Sequence, residues 1–304
     1  MLWFRIVPIL LLIVINTLVH AFPLLVVTMF KAVLPSERAR RACNPLLLWF
    51  AEHWIVVNSA MVDAFTHTRF DVTEDAVLQR DGHYLVLANH QSWVDIVVLQ
   101  KVFNRRIPFL RFFLKRQLFW VPVLGLVWWA LDFPFMGRYT RKQIAKNPEL
   151  GQRDMQATRR ACEKFRAIPV SVMNFVEGTR FTPEKHAAQQ SPFRHLLKPK
   201  SGGVAFVIDA MGDSMHAILD VTIVYPGGRP SLMDLIGGRI PEVRVAIHQR
   251  PIPEALAGGN YQEDRAFRAR FQQWMNGVWE EKDAQIGQIS GQAQKNASTG
   301  SEMK

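Results

Sequence analysis

The sequence predicts an α/β fold: a mixed, partly parallel sheet flanked by helices, with an N-terminal helical membrane-anchoring motif. Three observations carry this expectation. Short apolar runs that read as buried strands are interleaved with longer segments of helical period. Two polar clusters, 89–95 and 177–180, each follow such a strand directly, where ligand sites of α/β sheets lie. The 25 positions from Ile6 to Phe30 hold no Lys, Arg, Asp or Glu.

The N-terminal segment, IVPILLLIVINTLVHAFPLLVVTMF, exceeds the roughly 20 apolar residues that cross a bilayer core. Asn16, Thr17 and His20 interrupt it and Pro23 follows, so it reads either as one tilted span or as a broken pair re-entering one leaflet. A cleaved signal peptide is the rival reading, with Val19-His20-Ala21 as cleavage site. The apolar run continues past that point and only Arg5 precedes it, which favours a retained anchor. Lys31, Arg38, Arg40 and Arg41 outnumber Glu37 just beyond, which puts this end on the cytoplasmic side. Leu46 to Phe65 is apolar but carries Glu52, His53 and Asp63, and reads as an interfacial helix.

Tyr84–Ala88 reads as a buried strand. Ser92-x-x-Asp95 then has the form of a helix-capping box, so the chain runs strand, turn, helix, with His90 in the turn. Between Lys101 and Leu131 lie six basic residues, no acidic ones, and interleaved Phe and Trp, a mixture suited to anionic lipid headgroups beside an anchor. Gly151–Phe165 reads as a helix, Pro169–Phe175 as a strand, and Glu177-Gly-Thr-Arg180 as the loop after it. Leu219–Tyr225 and Val243–Ile247 read as further strands. Phe267, Phe271, Trp274 and Val278 mark one face of a late helix. The last residues are polar and of low complexity, which suggests disorder. The expected divisions are 1–66, anchoring and interfacial helices; 67–284, the α/β domain; and 285–304, a disordered tail.

Composition narrows the function. A chain of 304 residues that is 49% hydrophobic and 11% aromatic is neither disordered nor a disulfide-stapled scaffold. Lys plus Arg is 37 against 26 Asp plus Glu, a net charge of +11 that calls for an anionic partner. Nucleic acid would explain the charge but not residues 6–30. Cys43 and Cys162 form no framework.

The two polar clusters have the chemistry of acyl transfer. A neutral imidazole takes a proton near pH 7, and a carboxylate on its other nitrogen fixes tautomer and orientation. His90 and Asp95, five apart across a turn and helix start, can form such a dyad and activate a substrate hydroxyl for attack on a thioester. Taken alone, they serve equally as a turn residue and a helix cap. In Glu177-Gly-Thr-Arg180, Gly178 permits close backbone approach, Thr179 supplies a hydroxyl and Arg180 can grip phosphate in bidentate fashion.

Together and in this order, the clusters resemble the glycerolipid acyltransferase family, specifically its 1-acylglycerol-3-phosphate (lysophosphatidic acid) acyltransferases. Asn89-His90-Gln91-Ser92-Trp93-Val94-Asp95 matches the NHxxxxD motif and Glu177-Gly178-Thr179-Arg180 matches EGTR. The longer strings NHQSWVD and FVEGTRFT, with Leu197–Gly202 and Asp220–Tyr225, look most like the branch containing lysocardiolipin acyltransferases. The resemblance implies that His90 is the base and Asp95 its partner. It implies that Glu177, Gly178, Thr179 and Arg180 bind the acceptor. A less well kept second motif, with Gln117 where Glu is usual, implies phosphate ligands at Lys115 and Arg138. The implied donor is acyl-CoA or acyl-carrier protein, with no cofactor or metal and no nucleic-acid partner. The implied product is phosphatidic acid, made on the cytoplasmic face of the cell (inner) membrane. Two other readings stand beside it: an acyltransferase for lysophosphatidylglycerol or lysocardiolipin, and a non-catalytic lipid-binding protein.

Overall fold

The computed structural model describes residues 2–302 other than Arg138, Thr140, Arg141, Lys142, Ile144, Ala145, Ala167, Ala257, Asn260 and Gln262. It opens with α1 (Leu2–Val33), α2 (Glu37–Ala42) and α3 (Asn44–Thr66). The helix α1 is continuous through Pro8 and Pro23, so the broken pair considered above is not formed. Its polar residues serve packing instead. Asn16 Nδ2 donates to Asn58 Oδ1 at 2.9 Å, His20 Nε2 meets His53 Nδ1 at 2.9 Å, and Trp54 Nε1 donates to Thr17 Oγ1 at 3.1 Å. Lys31 Nζ closes the far end on Asn44 Oδ1. These pairs run in opposite order along the two helices, so α1 and α3 form an antiparallel hairpin held by a polar seam. Outward, Val7, Leu11, Val19, Phe22 and Phe30 are more than half exposed. Both Ile6–Val33 and Glu37–Thr66 are long and apolar enough to cross a membrane.

The next elements are β1 (Arg69–Glu74), β2 (His83–Ala88), α4 (Val94–Phe103), β3 (Leu110–Phe112), β4 (Leu114–Lys115), α5 (Leu124–Ala130) and β5 (Phe135–Met136). Then come α6 (Pro148–Arg166), β6 (Val170–Phe175), α7 (Pro183–Gln189), α8 (Gly202–Met211) and β7 (Ala217–Val224). The chain ends with α9 (Leu232–Ile236), β8 (Glu242–Arg250) and α10 (Arg265–Glu302). Six strands form one sheet in the order β1-β8-β7-β2-β6-β3. Only the β7–β8 pair is antiparallel, so the sheet is mixed and mostly parallel, as expected.

The central strand β2 is apolar on both faces because both are covered. Leu85 and Leu87 face a core shared with Phe165, Val204, Phe271 and Trp279, whereas Tyr84, Val86 and Ala88 face one shared with Val98, Leu99 and Val245. Fully burying one such leucine is worth about 1.5–3 kcal/mol. Register then positions the site. Ala88 lies opposite Phe175, where β2 and β6 end together, and opposite Val221 of β7, which runs on in the same direction to Val224. The segments leaving them, 89–95, 176–180 and 225–230, are thereby neighbours.

Two boundaries differ from expectation. The stretch 285–302, read as a disordered tail, continues α10. Ile286, seven residues after Trp279, stays on the buried face and is only 3% exposed, so the apolar stripe outlasts the point where the composition turns polar. The Ser92–Asp95 box is half formed. Asp95 accepts from Ser92 N, but Ser92 Oγ accepts from Val94 N rather than from Asp95 N.

Candidate active site

The turn after β2 is fixed at every residue. The buried Asn89 side chain bonds the backbone of Ile223 in β7 twice, Nδ2 donating to its carbonyl and Oδ1 accepting from its N–H, each at 2.9 Å. His90 N donates to Glu177 Oε1 at 2.9 Å, and His90 O accepts from Phe181 N at 2.7 Å. The His90 backbone is thus tied on both sides to the loop after β6. Its ring stacks on Phe175, with centroids 3.9 Å apart and planes 13° from parallel.

His90 Nδ1 lies 2.8 Å from Asp95 Oδ2. That oxygen also accepts from Gln91 N at 2.6 Å and Ser92 N at 2.9 Å, while Oδ1 accepts from Tyr225 Oη at 2.6 Å. Four donors thus converge on this one carboxylate, which is wholly buried in the first turn of α4. Burial and the neighbouring Asp95 carboxylate raise the Tyr225 hydroxyl well above its usual range, so it remains a donor. With Asp95 Oδ2 as the acceptor of this contact, His90 Nδ1 is the donor, and Nε2 of the neutral ring is left as the acceptor. His90 keeps 13% side-chain exposure, so its ring is not sealed from solvent. The arrangement can therefore remove a proton from an alcohol and hold the resulting imidazolium against Asp95.

Glu177 departs from expectation. It was expected to help bind the acceptor, but its carboxylate is fully buried and both oxygens are used within the protein, Oε1 by His90 N and Oε2 by Leu197 N at 2.9 Å. It is a clamp between the two motifs and offers no oxygen to a ligand. Burial pushes its pKa up to about 7, against the pull of those two N–H donors. Gly178 takes φ +69, the left-handed region that turns the chain out of β6, with its N–H on Phe175 O at 2.8 Å. Thr179 Oγ1 accepts from Lys185 Nζ at 2.7 Å, and Lys185 Nζ also donates to Arg180 O at 2.9 Å. The Arg180 guanidinium lies over the Trp93 ring, 4.8 Å from its centroid.

Arg180 and Trp93 line an open cleft of about 540 Å³ together with Lys185, Arg229, Phe181 and Leu232. Lys115 is exposed at the end of β4 and does not line this cleft. It pairs in register with Met136 of β5. Arg138, the other expected phosphate ligand, lies outside the described residues. The structure thus joins His90, Asp95, Glu177 and Arg180 in one place and leaves Lys115 aside.

Asn89, Phe175, Tyr225, Lys185 and Arg229 acquire roles that sequence reasoning did not give them. Tyr225 carried a signal: a hydroxyl directly after a fully buried strand needs a buried partner. The C-terminal helix supports the site from behind. Lys282 Nζ, wholly buried, pairs with Asp220 at 2.5 Å and donates to Val221 O and Thr222 Oγ1 of β7. Asp283 accepts from Arg194 N and His195 N, just ahead of the Leu197 N–H that holds Glu177.

With this geometry in hand, the comparison with known families is decisive. The family model described as Acyltransferase matches residues 69–226, just over half of the chain, including His90, Asp95, Glu177 and Arg180. The chain belongs to the acyltransferase family. This acyltransferase is 25% identical over 227 residues to 1-acyl-sn-glycerol-3-phosphate acyltransferase gamma of Mus musculus, covering 70% of this chain and 55% of the relative. It is 25% identical over 260 residues to 1-acyl-sn-glycerol-3-phosphate acyltransferase 3 of Arabidopsis thaliana, covering 79% and 60%. The chain therefore spans somewhat more than half the length of these curated relatives. The crystal structure of the 1-acyl-sn-glycerophosphate acyltransferase PlsC from Thermotoga maritima shares the fold, with a TM-score of 0.52 at 17% identity, covering 93% of this chain and 98% of that one. None of these three is a lysocardiolipin enzyme, and that finer resemblance rests on the motif strings alone.

Proposed function

We propose that this acyltransferase moves a fatty acyl group from an acyl thioester to the sn-2 hydroxyl of lysophosphatidic acid, giving phosphatidic acid. The observation that carries the reading is the His90–Asp95 pair, with Nδ1 held at 2.8 Å from Oδ2, directly before Gln91, Ser92 and Trp93, which line a cationic cleft. The names of the relatives support the choice of acceptor.

In this reading His90 Nε2 takes the proton of the sn-2 hydroxyl as its oxygen attacks the thioester carbonyl. Asp95 stabilises the imidazolium, and Tyr225 holds Asp95. The tetrahedral intermediate collapses with cleavage of the C–S bond, and the imidazolium returns its proton to the departing thiolate. Acyl-CoA or acyl-carrier protein supplies the thioester. Arg180 binds the acceptor phosphate. The α1–α3 hairpin anchors the enzyme in the membrane where both lipids reside. The basic run after α1 favours the cytoplasmic face of the cell (inner) membrane.

The test is an acceptor panel with purified protein in detergent and a labelled acyl-CoA. Labelled phosphatidic acid is the expected product. Transfer to no lysophospholipid would refute the reading, and transfer to lysophosphatidylglycerol alone would replace the acceptor.

A further inference from the structure

The cleft beside His90 carries more positive charge than the EGTR motif brings to it. Arg180, Lys185 and Arg229 all line it. Their described partners are neutral: the Trp93 ring for Arg180, Thr179 Oγ1 and Arg180 O for Lys185, and Phe181 O with the Phe181 ring for Arg229. Among the described residues none of the three forms an ion pair. The lining carboxylate, Asp234, is already committed to Ser231 N, Ser231 Oγ and Arg239 Nε, each at 2.7 Å. Exposed Glu184 lies close enough to feel Lys185 and Arg229, but its own hydrogen bond is with Thr182.

Arg229 is also held in place. The chain turns after Tyr225, with Gly228 at φ +92 and its N–H on Tyr225 O. On one side of this turn Tyr225 bonds Asp95 at 2.6 Å, and on the other Pro230 O accepts from Ser92 Oγ at 2.5 Å. Arg229 is therefore presented by a loop stitched to the catalytic turn at both ends. One Nη1 donates to Phe181 O at 3.1 Å, and Phe181 N in turn donates to His90 O. Those contacts orient the guanidinium while leaving its other N–H groups for a ligand.

We propose that Arg229 selects the headgroup: with Arg180 and Lys185 it forms a cradle of three cations for a terminal phosphate monoester, and so favours lysophosphatidic acid over lysophospholipids whose phosphate is a diester. A monoester carries about −1.5 to −2 charges at pH 7 and three acceptor oxygens. A diester carries one charge and one fewer unsubstituted oxygen. The third cation therefore matters more for the monoester. This inference rests on the proposed reaction and names its acceptor class.

The experiment compares wild type with R229Q in the detergent assay, measuring KM for lysophosphatidic acid, lysophosphatidylglycerol and acyl-CoA separately. R229Q is expected to raise KM for lysophosphatidic acid about tenfold, the scale of one charge-assisted hydrogen bond. KM for lysophosphatidylglycerol and for acyl-CoA should stay within about threefold, with kcat little changed. R229K should recover part of the loss. Equal effects on both lipids, or no effect on either, would overturn the proposal. A rise confined to acyl-CoA would overturn it too, assigning the cleft to the phosphates of coenzyme A. Wild-type inactivity toward every lysophospholipid would remove the reaction, not the cradle. Equilibrium binding of both lipids to H90A and to H90A/R229Q then decides, with loss of the preference for the monoester expected in the double variant and an unchanged preference counting against it.

Discussion

Asp95 is wholly buried yet accepts four hydrogen bonds, and three of its donors come from the turn it orients. The fourth, Tyr225, comes from another strand's end and is the one that can be removed without touching the turn. Tyr225→Phe leaves Asp95 Oδ1 without its partner, a loss of about 1.5–3 kcal/mol for a bond to a charged group. The expected outcome is a kcat lowered roughly ten- to hundredfold at nearly constant acceptor KM, because Tyr225 positions Asp95 and does not touch substrate. A change in KM alone would contradict that role. At this scale the sequence revealed the dyad and the EGTR arginine, since their residue types and order are distinctive. It did not reveal that Glu177 faces inward. Motif membership says that a carboxylate is needed, and only the paired N–H groups of His90 and Leu197 say what for.

Glu177 matters most at the level of elements, because it joins the turn after β2 to the loop before α8. Burial moves its carboxyl from the ordinary 4.5 to about 7. Folding therefore takes up a proton between those values. The contribution of this group to stability is complete below about pH 4.5 and is lost as pH rises through about 7, a span worth roughly 3 kcal/mol. Thermal midpoints in detergent at pH 5 and pH 8 measure this directly. Wild type should lose more stability on going to pH 8 than Glu177→Gln does, and parallel pH profiles would contradict the buried, titrating clamp. The long elements were readable from periodicity: β2, β6, β7, β8 and α6 fall where the apolar runs predicted. The short or exposed ones were not. β1 is an edge strand of sequence RFDVTE with no buried residue, and β3 has three residues inside a basic and aromatic stretch. β3 is too short to leave a pattern, and β1 carries only Phe70 and Val72 on its inward face, too few to stand out.

Taken whole, the molecule is a mixed sheet with its site beyond the carboxyl ends of β2, β6 and β7, attached to a helical hairpin that exposes apolar side chains. The hairpin explains a feature that composition left ambiguous. Asn16, Thr17 and His20, which interrupt the apolar run in the sequence, pair with Asn58, Trp54 and His53 of α3 rather than breaking the helix. A chain read one residue at a time cannot show this, because the partners lie more than 30 positions away. With that outward face, the protein is expected to remain with membranes after alkaline carbonate extraction. Quantitative release into the supernatant would contradict the anchor. The most direct test of the account is a comparison of His90→Ala with wild type, both purified in detergent and supplied with labelled acyl-CoA and lysophosphatidic acid. Loss of a general base lowers turnover by about 10²–10⁴-fold. The account predicts a loss of at least that size, with the thermal midpoint and membrane retention of the variant unchanged. Turnover at the wild-type rate would contradict it.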